Sequence, residues 1–229
     1  MSGDLSFALY ARIFAQIFIN GEILLLLWKR ESKYMKKILV LLAVEEELGA
    51  DNIARLSEVA DVKCIGVGKL NAYEATMEAM WAKEYDELIS VGTCGSLHHP
   101  YATLLRPSVV AQGDIYVDSI FASEAEYLPS GDEGISLYSS DNFIGEDSSE
   151  ATRKIVERYD CMEMEAYAII RAKRFFARLS GKPEPELHLI KIVSDQADGT
   201  IEAWETRIER LRPALMGATL ELIEKLNNQ

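Results

Sequence analysis

The run Ile38-Leu39-Val40-Leu41-Leu42-Ala43-Val44 is apolar throughout. A surface helix or a half-wet strand would interrupt it with polar residues at a period of 3.6 or 2. A strand without that alternation is buried on both faces, as an inner strand of a parallel sheet covered by helices is. The rest of the chain repeats the theme. Val62 to Val67, Glu87 to Val91, Ser108 to Ala111 with Ile115-Tyr116-Val117 around Gly113, Ile135 to Tyr138, and Leu187 to Val193 all have strand character. Helical spacing follows GVGK, runs from the Met162 region to about Arg178, and returns from Ala203 to Leu226, where Pro213 should kink or divide the helix. This alternation predicts a single α/β domain over residues 35–229, its central sheet mostly parallel or mixed, twisted and flanked by helices.

Residues 1–34 stand apart. Their apolar stretch is interrupted by Arg12, Asn20 and Glu22, and its longest clean run is Ile23 to Trp28. A spanning helix needs roughly 20 mainly apolar residues. A signal peptide has its charges before the apolar region, whereas here Lys29, Arg30 and Lys33 follow it. An amphipathic helix, a weak anchor, or sequence upstream of a start at Met35 are the three readings. The segment is set aside as an extension.

The net charge of −13 excludes a nucleic-acid backbone as partner, because such binding rests on clustered Lys and Arg. Cys64, Cys94 and Cys161 are odd in number and far apart, which argues for reduced thiols in a cytoplasmic protein and against a disulfide framework or zinc site. His98, His99 and His188 lack metal-ligand spacing with other ligand types; the His98-His99 pair reads as a surface loop. No metal, cofactor or membrane partner is called for.

In open α/β sheets ligands sit at the carboxyl ends of the strands. There the sequence places Glu45-Glu46-Glu47, Gly66-Val67-Gly68-Lys69, Gly92-Thr93-Cys94-Gly95-Ser96 and Ser194-Asp195. Glycines let a backbone approach a ligand, and a turn into a helix offers free N–H donors. GVGK lacks the phosphate-loop pattern, and Asn71 stands where GxGxxG needs its last glycine. A further oddity is CMEMEAYAII at 161–170, where Glu163 and Glu165 sit in an apolar setting. Carboxylates are buried only with partners.

Taken in order, AVEEELG at 43–49, GVGKLNA at 66–72, VGTCGSL at 91–97, MEMEA at 162–166 and VSDQAD at 193–198 resemble the nucleoside phosphorylase superfamily, and within it the bacterial 5′-methylthioadenosine/S-adenosylhomocysteine nucleosidases. SSDNFI at 139–144 is a softer match. The resemblance implies cleavage of a purine N-glycosidic bond by a homodimer or higher homo-oligomer. It implies that Glu165 takes the ribose hydroxyls, with Met164 against the sugar and Glu163 a second polar contact or support; the plainer alternative for Glu163 is a side chain turned to solvent. Asp195, helped by Ser194, would protonate the departing purine, and Glu47 would activate water. Thr93 and Gly95 would line the ribose and water site. Phe143 would stack on the base, and the Ile144 backbone would bond its edge.

Phosphorolysis is the neighbouring chemistry in the superfamily, and it needs arginines for the phosphate dianion. Ser90 and the glutamate run stand where those arginines would be, so hydrolysis is the expectation. A non-catalytic nucleoside binder is the remaining alternative. The stretch from Gly113 to Phe143 is shorter than in those nucleosidases, which leaves the 5′ substituent open among methylthio, homocysteinyl, futalosine-type and plain hydroxyl.

Overall fold

The computed structural model describes residues 35–115, 125–145, 147–197 and 201–229, with 201–203 described by backbone alone. Expectations that fall on residues 1–34, and on Tyr116 and Val117, lie outside the described residues. Lys37–Gln229 forms one unit. Its first half runs β1 (Ile38–Leu42), a 3₁₀ turn (Glu45–Glu47), α1 (Ala50–Leu56), β2 (Asp61–Cys64), α2 (Lys69–Ala82), β3 (Glu87–Gly95), β4 (Leu104–Leu105) and β5 (Pro107–Gln112). Its second half runs β6 (Ala125–Tyr127), β7 (Asp132–Ser139), α3 (Glu150–Val156), β8 (Cys161–Glu163), α4 (Ala166–Ser180), β9 (Glu186–Asp195) and α5 (Ile201–Asn227).

The nine strands of the described residues join one mixed sheet in the order β2-β1-β3-β8-β7-β5-β6, with β9 beside β3 and β4 against β9. β1 pairs in parallel with both β2 and β3, and β3 in parallel with β9. The β3–β8, β4–β9 and β5–β6 pairs are antiparallel. β1 explains its own composition. Leu39 and Leu41 face α2 and α4, packing with Met80, Ile169 and Phe176. Ile38, Val40 and Leu42 face α5, packing with Leu211, Leu215 and Leu222. Fully burying one such side chain stabilises by roughly 1.5–3 kcal/mol, and β1 is buried at all five positions, on both faces.

Several boundaries differ from the sequence expectation. The Met162 region is not the start of a helix but a short strand, and α4 begins only at Ala166. The Glu163 carboxylate is the cause: it accepts the backbone N–H of Glu165 and of Ala166, each at 3.0 Å, and so terminates the strand by capping the helix. Gly181, at φ +70°, closes that helix in the left-handed conformation. Ile115 lies beyond the end of β5, outside any strand. Pro213 does not divide α5, which runs unbroken from Ile201 to Asn227. A mid-helix proline costs about 3 kcal/mol; burial of Leu211, Leu215 and Met216 on either side of it outweighs that.

Candidate functional site

The carboxyl ends of β1, β3, β8 and β9 converge on a cavity of about 280 Å³. Glu47, Thr93, Gly95, Phe143, Ile144, Met164, Glu165, Ser194 and Asp195 all line it, so every site residue expected from the sequence is brought together. Its remaining wall is mostly apolar: Ala43, Val44, Val67 and Met162 among others.

Glu47 reaches the cavity from the 3₁₀ turn and is 5% exposed. Its Oε2 accepts the N–H of Ala43 at 3.0 Å, and its Oε1 the N–H of Thr93 at 2.8 Å. The Thr93 hydroxyl approaches Oε1 at 3.3 Å and itself accepts the indole N–H of Trp204 at 2.9 Å. This carboxylate fits against β3 only because residue 92 is glycine; a Cβ there would overlap it. Burial pushes the Glu47 carboxyl above its ordinary value, against the pull of Lys191 and of the N–H donors.

Glu165 is held at the corner between β8 and α4 and accepts the N–H of Gly68 at 2.8 Å. Gly68 has φ +90°, which a side chain would strain, and its N–H aims at the carboxylate from the turn before α2. Burial, then the charge of Glu163, pushes the Glu165 carboxyl up to about 8. Glu163 does not turn to solvent. Its side chain is 3% exposed, caps α4, and pairs with the equally buried Lys191 ammonium at 3.1 Å. Glu163 is therefore a support beneath Glu165.

Lys191 is the residue that motif reading missed. Its signal was a lone lysine in the apolar strand run LHLIKIV. Burial alone would depress its ammonium, but Glu163, Glu165 and Glu47 together hold it above the usual lysine range. Lys191 pairs directly with Glu163, and the two carboxyls left without an ion-pair partner of their own, Glu47 and Glu165, are the ones pushed up by burial.

Asp195 ends β9. Its Oδ2 accepts the Ser194 hydroxyl at 2.8 Å and its Oδ1 the N–H of Ala197 at 2.9 Å. Two fixed donors from its own chain set the orientation of this carboxyl. Phe143 lies at the rim, 43% exposed, and Ile144 behind it is buried. Their loop is tied down by Asp114, which accepts from the Ser140 hydroxyl, the Asp141 N–H and the Asn142 amide, and pairs with Lys69 at 2.9 Å. Burial opposes ionisation of Asp114, yet Lys69 and these donors bring it down to about 2. The two histidines of the pair 98–99 are structural: His98 Nε2 contacts the Glu157 carbonyl at 2.8 Å and His99 Nε2 the Asp160 carboxylate at 3.0 Å.

No Lys, Arg or His lines the cavity among the described residues. The arrangement offers two carboxyl groups, Glu47 and Asp195, on different strands, a third for hydroxyl donors, and an apolar slot between them. Among the described residues no helix is long and apolar enough to cross a membrane.

No protein-family model matches the chain. No curated protein matches it in sequence. Solved structures do match in fold. The 5′-methylthioadenosine/S-adenosylhomocysteine nucleosidase of Neisseria meningitidis, in complex with methylthio-immucillin-A, is 20% identical over 83% of this chain and 99% of its own, with a TM-score of 0.65. Arabidopsis thaliana 5′-methylthioadenosine nucleosidase is 16% identical over 85% and 97%, with a TM-score of 0.68. Helicobacter pylori futalosine hydrolase is 16% identical over 84% and 97%, with a TM-score of 0.62. The chain therefore has the α/β fold of these nucleosidases over nearly their whole length, and it is at the level of the fold that they are alike.

Proposed function

We propose that this protein hydrolyses the N-glycosidic bond of a purine ribonucleoside. One observation carries the reading: the ends of β1, β8 and β9 deliver Glu47, Glu165 and Asp195 into a single cavity whose lining, among the described residues, has no basic side chain. The nucleosidase folds it matches support it. In the reaction C1′–N9 breaks, positive charge grows on the ribose and negative charge on the purine. Asp195, oriented by Ser194 and the Ala197 N–H, gives its proton to N7 of the leaving base. Glu47 takes a proton from the water whose oxygen joins C1′. A carboxyl raised by burial is the stronger base for that step. Glu165 accepts the ribose hydroxyls, Met164 lies along the sugar, and Phe143 with the Ile144 backbone holds the base.

The same charge pattern disfavours anions. Among the described residues phosphate would meet carboxyl groups in the lining and no basic side chain there, and Lys191 is already paired with Glu163. We infer that water rather than phosphate is the acceptor. The test is purine release from adenosine, a 5′-alkylthioadenosine and inosine, each with and without phosphate. Free sugar at a rate indifferent to phosphate is expected. A sugar 1-phosphate product, or turnover strictly dependent on phosphate, would overturn hydrolysis.

A further inference from the structure

Trp204 lies near the start of α5 and belongs to none of the motifs that point to the cavity. It nevertheless lines the cavity, and its Nε1 donates to the Thr93 hydroxyl at 2.9 Å. A threonine hydroxyl has one proton and two acceptor sites. With one acceptor site filled by the indole, the proton is left to point at Glu47 Oε1, 3.3 Å away. We propose that Trp204 is a positioning residue for Glu47, acting through Thr93: the indole fixes the rotamer of the hydroxyl, and the hydroxyl fixes which lone pair of the carboxylate stays open to water.

The count of lone pairs makes the point specific. An ionised carboxylate offers about four acceptor sites. Three are taken, by the N–H of Ala43, the N–H of Thr93 and the Thr93 hydroxyl. One remains for water. Without the indole, the Thr93 hydroxyl is free to rotate and donate elsewhere, and Glu47 keeps two open sites in place of one. α5 reinforces the same turn a second time, because Arg212 Nε donates to the Glu46 carbonyl at 2.9 Å. The helix thus holds the glutamate turn at its backbone and at its side chain.

The charged and titratable groups around Glu47 are Lys191 from β9 with Glu163 beyond it, Glu165 from the corner before α4, Cys64 at the end of β2, and Glu45 and Glu46 on its own turn. Trp204→Phe alters none of these charges. It removes one neutral donor that acts at one remove, so a change in Glu47 titration isolates the relay.

The role deepens the nucleosidase reading and rests on it, but the experiment separates the two. Carboxyl ¹³C NMR titration of Glu47 and kcat/KM for purine release are measured in the full chain, in Trp204→Phe, in Thr93→Val and in the double variant. Trp204→Phe should lower kcat/KM roughly fivefold, the loss of about one hydrogen bond, and should raise the Glu47 midpoint. In the Thr93→Val background the same change should do neither, because the relay is already cut. Equal effects in both backgrounds, or an unmoved Glu47 midpoint in Trp204→Phe, would overturn the proposal. The titration needs no turnover, so a chain that hydrolyses no nucleoside would refute the functional reading while still testing the relay. If phenylalanine leaves a gap that unfolds the chain, β-(3-benzothienyl)alanine at position 204 has the indole's shape without its N–H and takes the same measurement.

Discussion

Asp195 and Glu165 illustrate two uses of a carboxyl group in one cavity. Asp195 has both oxygens engaged by donors of its own chain, so Asp195→Asn keeps the shape and at least one of those bonds. An amide cannot release a proton. Turnover should therefore fall by at least about 10²-fold while nucleoside still binds; near-normal purine release beside normal calorimetric binding would remove Asp195 from the chemistry. Glu165 gives a different signature. Its carboxyl stands at about 8 in the fold against 4.5 in an unfolded chain. Between those pH values the folded state keeps a proton that the unfolded state releases, so this group's contribution to stability declines as pH rises through that window. Glu165→Gln removes the decline. The unliganded variant should melt above the parent at pH 8.5 and level with it at pH 4.5, yet lose ribonucleoside affinity more than 2′-deoxynucleoside affinity. A parent and variant with parallel melting curves across that range would show that Glu165 is not held protonated.

At the scale of elements, the loop before α3 depends on a single carboxylate. Asp114 gathers Ser140, Asp141 and Asn142 and pairs with Lys69 on α2, so the Phe143 side of the cavity is fastened to the turn that holds Glu165. Asp114→Asn should raise KM at least about tenfold, the worth of about one charge-assisted bond, with kcat little changed; an equal loss in both constants would mean the loop does not act through binding. Because the folded Asp114 sits at about 2 against 3.8 unfolded, its contribution to stability is present above pH 3.8 and is lost as pH falls through 2. None of this was legible beforehand, since Asp114 belongs to no motif and its partners come from distant segments. What was legible followed from local rules. The double-sided apolar run announced β1, and the loops at the ends of β1, β3 and β9 announced segments that line the cavity. The short elements α1, α3, β4, β6 and β8 span between two and seven residues, too few to establish a period. Lys191, Trp204 and the cap made by Glu163 depend on tertiary neighbours, which no spacing encodes.

At the scale of the molecule, Lys37–Gln229 has its own two large apolar clusters, one on each face of the sheet. We propose that residues 35–229 are the nucleoside-binding domain and residues 1–34 an extension to it. A chain beginning at Met35 should express, melt cooperatively and release purine at the parent rate; insoluble product would show that the extension contributes to the core.

β9 lies between β3 and the two-residue strand β4, although it is made after every other described strand. A ribosome that has finished β3 must leave that strand's outer edge unpaired for some ninety residues of synthesis, from Gly95 to Glu186. An unpaired apolar edge is a template for foreign strands, and long-range parallel pairing forms slowly. The nascent chain is thus most in need of a chaperone just before its last helix appears. Stalled chains ending at Gly181 should be protease-sensitive throughout, and chains extended past Asn227 should turn resistant in one step; early resistance in the shorter chains would mean that the sheet closes without its inner strand.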